Sequence, residues 1–177
     1  MNSWNILTAA PSAGKSSVLR ELSSRGYRTC PESATIVLDQ HISEGGDVSS
    51  FRNTEEFNDK IVEKDIQTIK NTPQNEIVFF DRSIFDNIVY RQMSGLETPD
   101  VEEYVPLFDN IFIFERLPIE SDYRRTEDDE EAEKIQKLLV ETYEELGFNP
   151  QFVELDTVVN RADYIEELAV YGPPVIH

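Results

Sequence analysis

The residues with the plainest chemistry stand together in Ala9-Ala10-Pro11-Ser12-Ala13-Gly14-Lys15-Ser16-Ser17. The run fits G-x-x-x-x-G-K-[ST] at every defined position except the first, where Ala9 replaces glycine. Placed between a strand and a helix, such a loop grips phosphate. The helix N-terminus offers free N–H groups and a partial positive charge, and the loop wraps further amides around the anion. Pro11, Ser12, Ala13, Gly14, Lys15, Ser16 and Ser17 would line this cradle, with Gly14 permitting close backbone approach. Lys15 can reach the β- and γ-phosphate oxygens of a nucleoside triphosphate, and the Ser16 hydroxyl is a hard oxygen suited to Mg²⁺. The competing reading is an ordinary turn at a helix start. Ala9 is compatible with the cradle where that residue keeps a negative φ.

Asp81 ends the apolar run Glu76-Ile77-Val78-Phe79-Phe80, where ligands of parallel sheets bind, so its carboxylate can stand beside Ser16 as a metal-holding acid. It can equally cap the next helix. Arg82 follows at once, either facing an acceptor or forming a surface ion pair. Glu32, after Pro31, should project over the same sheet edge, as a base, an acceptor-binding acid or a helix cap. Asp86 and Tyr90 lie one helical turn apart, which would let both face an acceptor pocket, Tyr90 otherwise packing. Glu115 to Ala132 is too long and charged for a simple turn and reads as a lid. An arginine closing from it, among Arg116, Arg124 and Arg125, would stabilise charge on a transferring phosphoryl group; a solvated charged face is the alternative.

Periodicity supplies the elements that must position these residues. Ser3 to Ala9 reads as a buried strand, and Lys15 to Arg25 as a helix with Val18, Leu19 and Leu22 on one face and Gly26 as its stop. Tyr27 to Cys30 predicts a second strand, Ser33 to Ile42 a helix, and Ser43 to Asn53 a loop. Thr54 should cap a helix running to Asn71, with Phe57, Ile61, Ile66 and Ile69 as its apolar stripe. The strand up to Phe80 follows, then helices over Ile84 to Met93 and Val101 to Leu107. Next come the strand Ile111 to Phe114, the helix Lys134 to Leu146, the strand Phe152 to Leu155 and the helix Ala162 to Tyr171. Strands alternating with helices predict a parallel sheet covered on both sides.

Several segments resemble one family: the Ala9 to Ser17 loop, Gly26-Tyr27-Arg28 with Pro31-Glu32-Ser33-Ala34, Phe79-Phe80-Asp81-Arg82-Ser83, and Asp86 with Tyr90. Asp122-Tyr123-Arg124-Arg125, Glu127 to Ala132 and Tyr143 to Phe148 continue the likeness, which spans about Trp4 to Leu168. The chain resembles the small AAA-type ATP-binding, P-loop kinase-like proteins, relatives of the ribosylnicotinamide kinase domain and of nucleoside and thymidylate kinases. That resemblance implies a three-layer α/β P-loop NTPase with a five-stranded parallel sheet of order 2-3-1-4-5 and a helical lid at about 115–132. It further implies ATP as co-substrate, Mg²⁺, and γ-phosphoryl transfer to a small, hydroxyl-bearing, nucleoside-like acceptor. Lys15, Asp81, Arg82, Arg125 and Glu32 would be the catalytic residues, Ser16 and Asp81 the metal holders, and Glu32, Arg82, Asp86 and Tyr90 the acceptor side. Two departures stand out: alanines at 9 and 10 where members carry glycines, and Thr35-Ile36 where members carry an arginine. A nucleotide hydrolase or switch, and a non-catalytic nucleotide sensor with a protein partner, stay open as rivals.

The 177 residues are expected to form one domain. With 35 acidic against 16 basic residues, the net charge of -19 should repel phosphate backbones, so nucleic acid is not an expected partner. No apolar run approaches the roughly 20 residues of a membrane span. One cysteine, Cys30, and no secretory leader point to a reducing, cytoplasmic setting. His41 and His177 lack zinc-ligand spacing with Cys30, and nothing in the sequence speaks to oligomeric state.

Overall fold

The computed structural model describes residues 2–116 and 127–172. Five strands form one parallel sheet: β1 (Ser3–Thr8), β2 (Arg28–Cys30), β3 (Ile77–Asp81), β4 (Asn110–Phe114) and β5 (Gln151–Val153), ordered β2-β3-β1-β4-β5. This is the expected order. Seven α-helices connect and cover them: α1 (Lys15–Ser24), α2 (Ser33–Ser43), α3 (Val48–Phe51), α4 (Glu55–Asn71), α5 (Asp86–Met93), α6 (Glu127–Glu145) and α7 (Val158–Tyr171). A 3₁₀ turn over Glu102–Leu107 precedes β4.

Alternation along each strand builds the three layers, because successive side chains point to opposite faces. Ile6, Val78, Phe80, Ile111 and Ile113 face α4, α5 and α6, meeting Ile69, Val89, Ile135, Leu139 and Tyr143. Leu7, Phe79, Phe112, Phe114 and Val153 face the other way, onto Val18, Leu19 and Leu22 of α1 and Ala162, Ile165 and Leu168 of α7. A smaller apolar cluster of Val37, Phe51 and Phe57 binds α2, α3 and α4 together beside the sheet.

Register decides what meets at the C-terminal edge. Leu7 pairs with Asp81 and Cys30 with Phe80, so the loop after β1, the acid ending β3 and Glu32 after β2 share one edge. Several boundaries differ from the sequence expectation. The Ser43 to Asn53 stretch holds α3, whose N-terminus is capped by Asp47 accepting from the Ser50 N–H at 2.9 Å. Helix α6 begins at Glu127 instead of Lys134, so the last part of the expected lid is its first turns. Helix α7 begins at Val158, where Thr157 accepts from the Asn160 N–H, and β5 ends at Val153.

Candidate functional site

The turn from β1 into α1 uses left-handed backbone at two places: Ser12 at φ 68° and Gly14 at φ 81°. Gly14 caps α1, so the amides from Lys15 onward open toward the sheet edge. Ala9 and Ala10 are buried, and among the described non-glycine residues only Ser12 and Arg82 have a positive φ. The alanine in the first motif position is thus accommodated without strain. Ser16 is exposed and Lys15 largely buried. The Lys15 ammonium lies 2.8 Å from Asp81 Oδ1, an ion pair about nine-tenths shielded from solvent.

Beside this pair stands a second one. Arg82, at φ 63°, donates from Nε to Glu32 Oε1 at 2.9 Å and from Nη1 to the Ala9 carbonyl at 2.7 Å. Its guanidinium lies 5.4 Å from the centre of the Tyr90 ring. A non-glycine residue in the left-handed region costs of order 1 kcal/mol and persists only where its surroundings dictate it. Here two hydrogen bonds, a ring face and a backbone bond from the Arg82 N–H to the Leu7 carbonyl do so. Burial works against the Arg82 charge, but Tyr90, Asp86, Glu32 and Asp81 outweigh it, so the guanidinium is held firmly protonated. Arg82 therefore ties the first residue of the phosphate loop to the end of β2.

Asp86 departs from its expected place. It is enclosed in the protein, accepting from the Thr8 hydroxyl at 3.0 Å, the Ser83 N–H at 3.0 Å and the Tyr143 hydroxyl at 3.1 Å. Burial pushes its carboxyl up, while Arg82 and these donors pull it down. The physical reason is position: as the first residue of α5 it fastens the strand-to-helix turn onto β1 and α6, so it braces the site and does not line a pocket. Tyr90 is half-buried against Arg82. Arg125, with Asp122 and Arg124, lies outside the described residues.

Three residues the sequence reasoning passed over are joined to the site. Gln136 of α6 accepts from the Ala10 N–H at 2.8 Å and donates to the Phe114 carbonyl at 2.9 Å, bolting the loop to β4. Arg161 of α7 donates from Nη1 to the Ala13 carbonyl at 3.2 Å. Asp65 of α4 accepts from the Ser33 hydroxyl at 2.6 Å and from Asn87 Nδ2 at 2.7 Å, and burial pushes its carboxyl up to about 6 against those bonds. Asp65 alone had a sequence signal, an acid inside the stripe of Ile61, Ile66 and Ile69. With Cys30, Ser33, Asp81 and Arg82 it lines a cavity of about 10 Å³, near the least that holds one water molecule. An organic acceptor does not fit inside it.

Among the described residues no cluster of three or more His, Cys, Asp or Glu side chains is arranged to hold a metal by itself. Mg²⁺ keeps several waters and takes phosphate oxygens, so a site for it needs few protein ligands. An exposed hydroxyl at Ser16 and a carboxylate at Asp81 are of the right hard-oxygen type.

Residues 5–161 match the model of a family described as an AAA domain. The chain belongs to that family. No curated protein matches the chain. Among solved structures, the NadR protein in complex with NR aligns with a TM-score of 0.66 at 18% identity, covering 99% of this chain and 52% of that one. NadR in complex with NAD and AMP-PNP gives 0.65 at 18%, covering 99% and 51%. The AAA-family chain thus spans about half the length of the NadR chains it matches. Shikimate kinase from Acinetobacter baumannii in complex with shikimate gives 0.55 at 13%, covering 95% and 92%. At these identities the likeness establishes the fold, a P-loop NTPase-like parallel sheet of order 2-3-1-4-5. No described helix is long and apolar enough to cross a membrane.

Proposed function

We propose that this chain is an ATP-dependent kinase that transfers the γ-phosphoryl group to a hydroxyl of a small, nucleoside-like acceptor. The observation that carries the reading is the pair of adjacent ion pairs at one sheet edge, Lys15–Asp81 at the phosphate loop and Arg82–Glu32 beside it, joined through the Ala9 carbonyl. The first pair suits a phosphate chain and the second an organic hydroxyl. A hydrolase needs no such second station. Support also comes from the kinase and nucleotide complexes among the structural neighbours.

Residues 11–17 would cradle the phosphates, and Lys15 would exchange its bond to Asp81 for one to the β- and γ-oxygens, freeing the carboxylate. Ser16 and Asp81 would hold Mg²⁺, which supplies charge neutralisation on the β- and γ-oxygens when bound. Glu32, oriented by Arg82, would accept the proton of the attacking hydroxyl as its oxygen bonds to phosphorus and the bond to the ADP oxygen breaks. Tyr90 would flank the acceptor. Residues 1–177 would act as one domain with a lid over 115–132, from which Arg125 would close on the transferring group. The setting would be cytoplasmic.

The test is a screen of nucleosides and other small alcohols with γ-labelled ATP and Mg²⁺. At least one acceptor should raise turnover above basal hydrolysis, and Asp81→Asn should lower that turnover by about 100-fold. Lys15→Ala should abolish ATP association in calorimetry. Turnover that no acceptor raises would end the kinase reading in favour of a hydrolase.

A further inference from the structure

Arg161 stands in an electrostatically awkward place. It projects from the first turn of α7 onto the start of α1, where an added Cβ on Gly14 would lie 3.1 Å from its Nη2 and 3.2 Å from its Nη1. That start is the positive end of the α1 dipole, and Lys15 adds a further cation beside it. Cations are stabilising at the opposite end of a helix. Yet Arg161 makes no ion pair with any described carboxylate, unlike Lys15, Arg25, Arg82, Arg91 and Arg116. Its side chain is instead held by the Ala13 carbonyl and by the Phe114 ring face, 5.6 Å from its guanidinium. Its Nε is buried with no hydrogen-bond partner, alone among the buried side-chain nitrogen and oxygen atoms described.

A guanidinium with an orphaned N–H, set against a helix N-terminus and reached by a carboxylate, that of Asp156, only through space, is costly unless a bonded anion completes it. Gly14 leaves room for the guanidinium against the loop, and any side chain there would crowd it as well as strain φ. We propose that Arg161 is a nucleotide-binding residue, the cation that closes the cradle from the α7 side and takes a phosphate oxygen of the bound nucleotide. This rests on the nucleotide-binding part of the kinase reading and not on its acceptor. The Ala13 carbonyl and Phe114 fix the guanidinium before the ligand arrives, so little side-chain freedom is lost on binding. In the sequence Arg161 sits about 145 residues after the motif, which is why spacing does not reveal it.

The experiment measures binding of ATP·Mg²⁺, ADP·Mg²⁺ and inorganic tripolyphosphate by calorimetry to the full chain and to Arg161→Met, Arg161→Gln and Arg161→Lys. Methionine keeps the packing on Phe114 without the charge. It should weaken all three ligands by about tenfold or more, the size of a lost charge-assisted hydrogen bond, while the thermal midpoint stays near that of the wild type. Lysine should recover part of the loss, which a purely structural role would not give. Unchanged binding by a folded Met variant overturns the proposal, as does a loss confined to ATP and ADP with tripolyphosphate unaffected. If the Met variant does not fold, the Lys and Gln variants decide on the same criterion. A wild type that binds nucleotide but phosphorylates no acceptor sinks the kinase reading and leaves this one standing; a wild type that binds none of the three ligands sinks both.

Discussion

Replacing Arg82 with lysine keeps a positive charge at the junction of the two ion pairs but removes the planar fork that lets one side chain serve two acceptors. An ammonium can hold either the Glu32 carboxylate, now at 2.9 Å, or the Ala9 carbonyl, now at 2.7 Å, but not both in the present geometry. Ala9 is fully buried, so its carbonyl has no water to fall back on. A hydrogen bond from a charged donor is worth about 1.5–3 kcal/mol, and leaving a buried acceptor unpaired costs a similar amount. The Glu32 side chain is 31% exposed, against 14% for Arg82, so the carboxylate half of the interaction is partly screened and the lower end of the range applies. Arg82→Lys should therefore lower unfolding free energy by about 2 kcal/mol, and Arg82→Ala by about 3 kcal/mol, since it also loses the Tyr90 contact. Neither substitution relieves the left-handed backbone, because only glycine would. Urea denaturation at neutral pH reads the stability, and a double-mutant cycle with Glu32→Gln isolates the pair. An Arg82→Lys protein within about 0.5 kcal/mol of the wild type would refute the idea that this fork holds the loop to β2.

Asp65 makes stability depend on pH in a specific direction. Its folded carboxyl is pushed up to about 6 by burial, with Asp86 and Glu32 adding to the rise, while an unfolded aspartate titrates near 4. Between those values the folded state binds more protons than the unfolded one, so this group's contribution to stability falls as pH rises from about 4 through 6, by at most about 3 kcal/mol. Asp65→Asn should flatten that part of the profile in thermal or urea melts at pH 4, 5, 6 and 7; an unaltered slope would show that Asp65 titrates normally. Gln136→Leu should cost about 2–4 kcal/mol by leaving the Ala10 N–H and Phe114 carbonyl unpaired in the interior, and a melt shifted by less than a surface substitution would contradict the bolt it forms.

What could be read from the chain and what could not divides along the range of the forces involved. Gly14-Lys15-Ser16 is legible because helix start, turn conformation and anion chemistry are all local, and Gly26 ends α1 for the same reason. The buried strands are legible because Phe79, Phe80, Ile111 and Phe112 are apolar on both faces, as a doubly covered sheet demands. The starts of α6 and α7 are less so. Glu127 to Glu131 carry no apolar residue to mark a period, and Val158 and Val159 are β-branched, with weak helix preference until the Thr157 cap decides the matter. Asp86 shows the limit most clearly. Its spacing to Tyr90 is one turn of α5, but which face of α5 meets solvent depends on Thr8 and Tyr143, which lie 78 residues before it and 57 after it.

The same distinction governs how a protein of charge -19 can hold a nucleotide. Net charge acts over a Debye length of about 10 Å in ordinary buffer, and beyond that it is screened. Contacts within the cradle act at about 3 Å, where the local sum counts. At the loop that sum is set by Lys15, Arg82 and Arg161 against the bonded carboxylates of Asp81 and Glu32, with Asp86 and Asp156 acting through space and the α1 dipole adding to the positive side. Lys15 and Arg82 are each neutralised by a carboxylate, so without Arg161 the side chains nearly cancel and only the backbone amides favour an anion. Arg161 is the cation of this group with no carboxylate bonded to it, so it is the one left to face an anion at the mouth of the loop. An acidic surface and a phosphate site are therefore compatible here because a half-buried arginine with no bonded carboxylate stands close to where the phosphates would lie, on an element far from the motif in sequence.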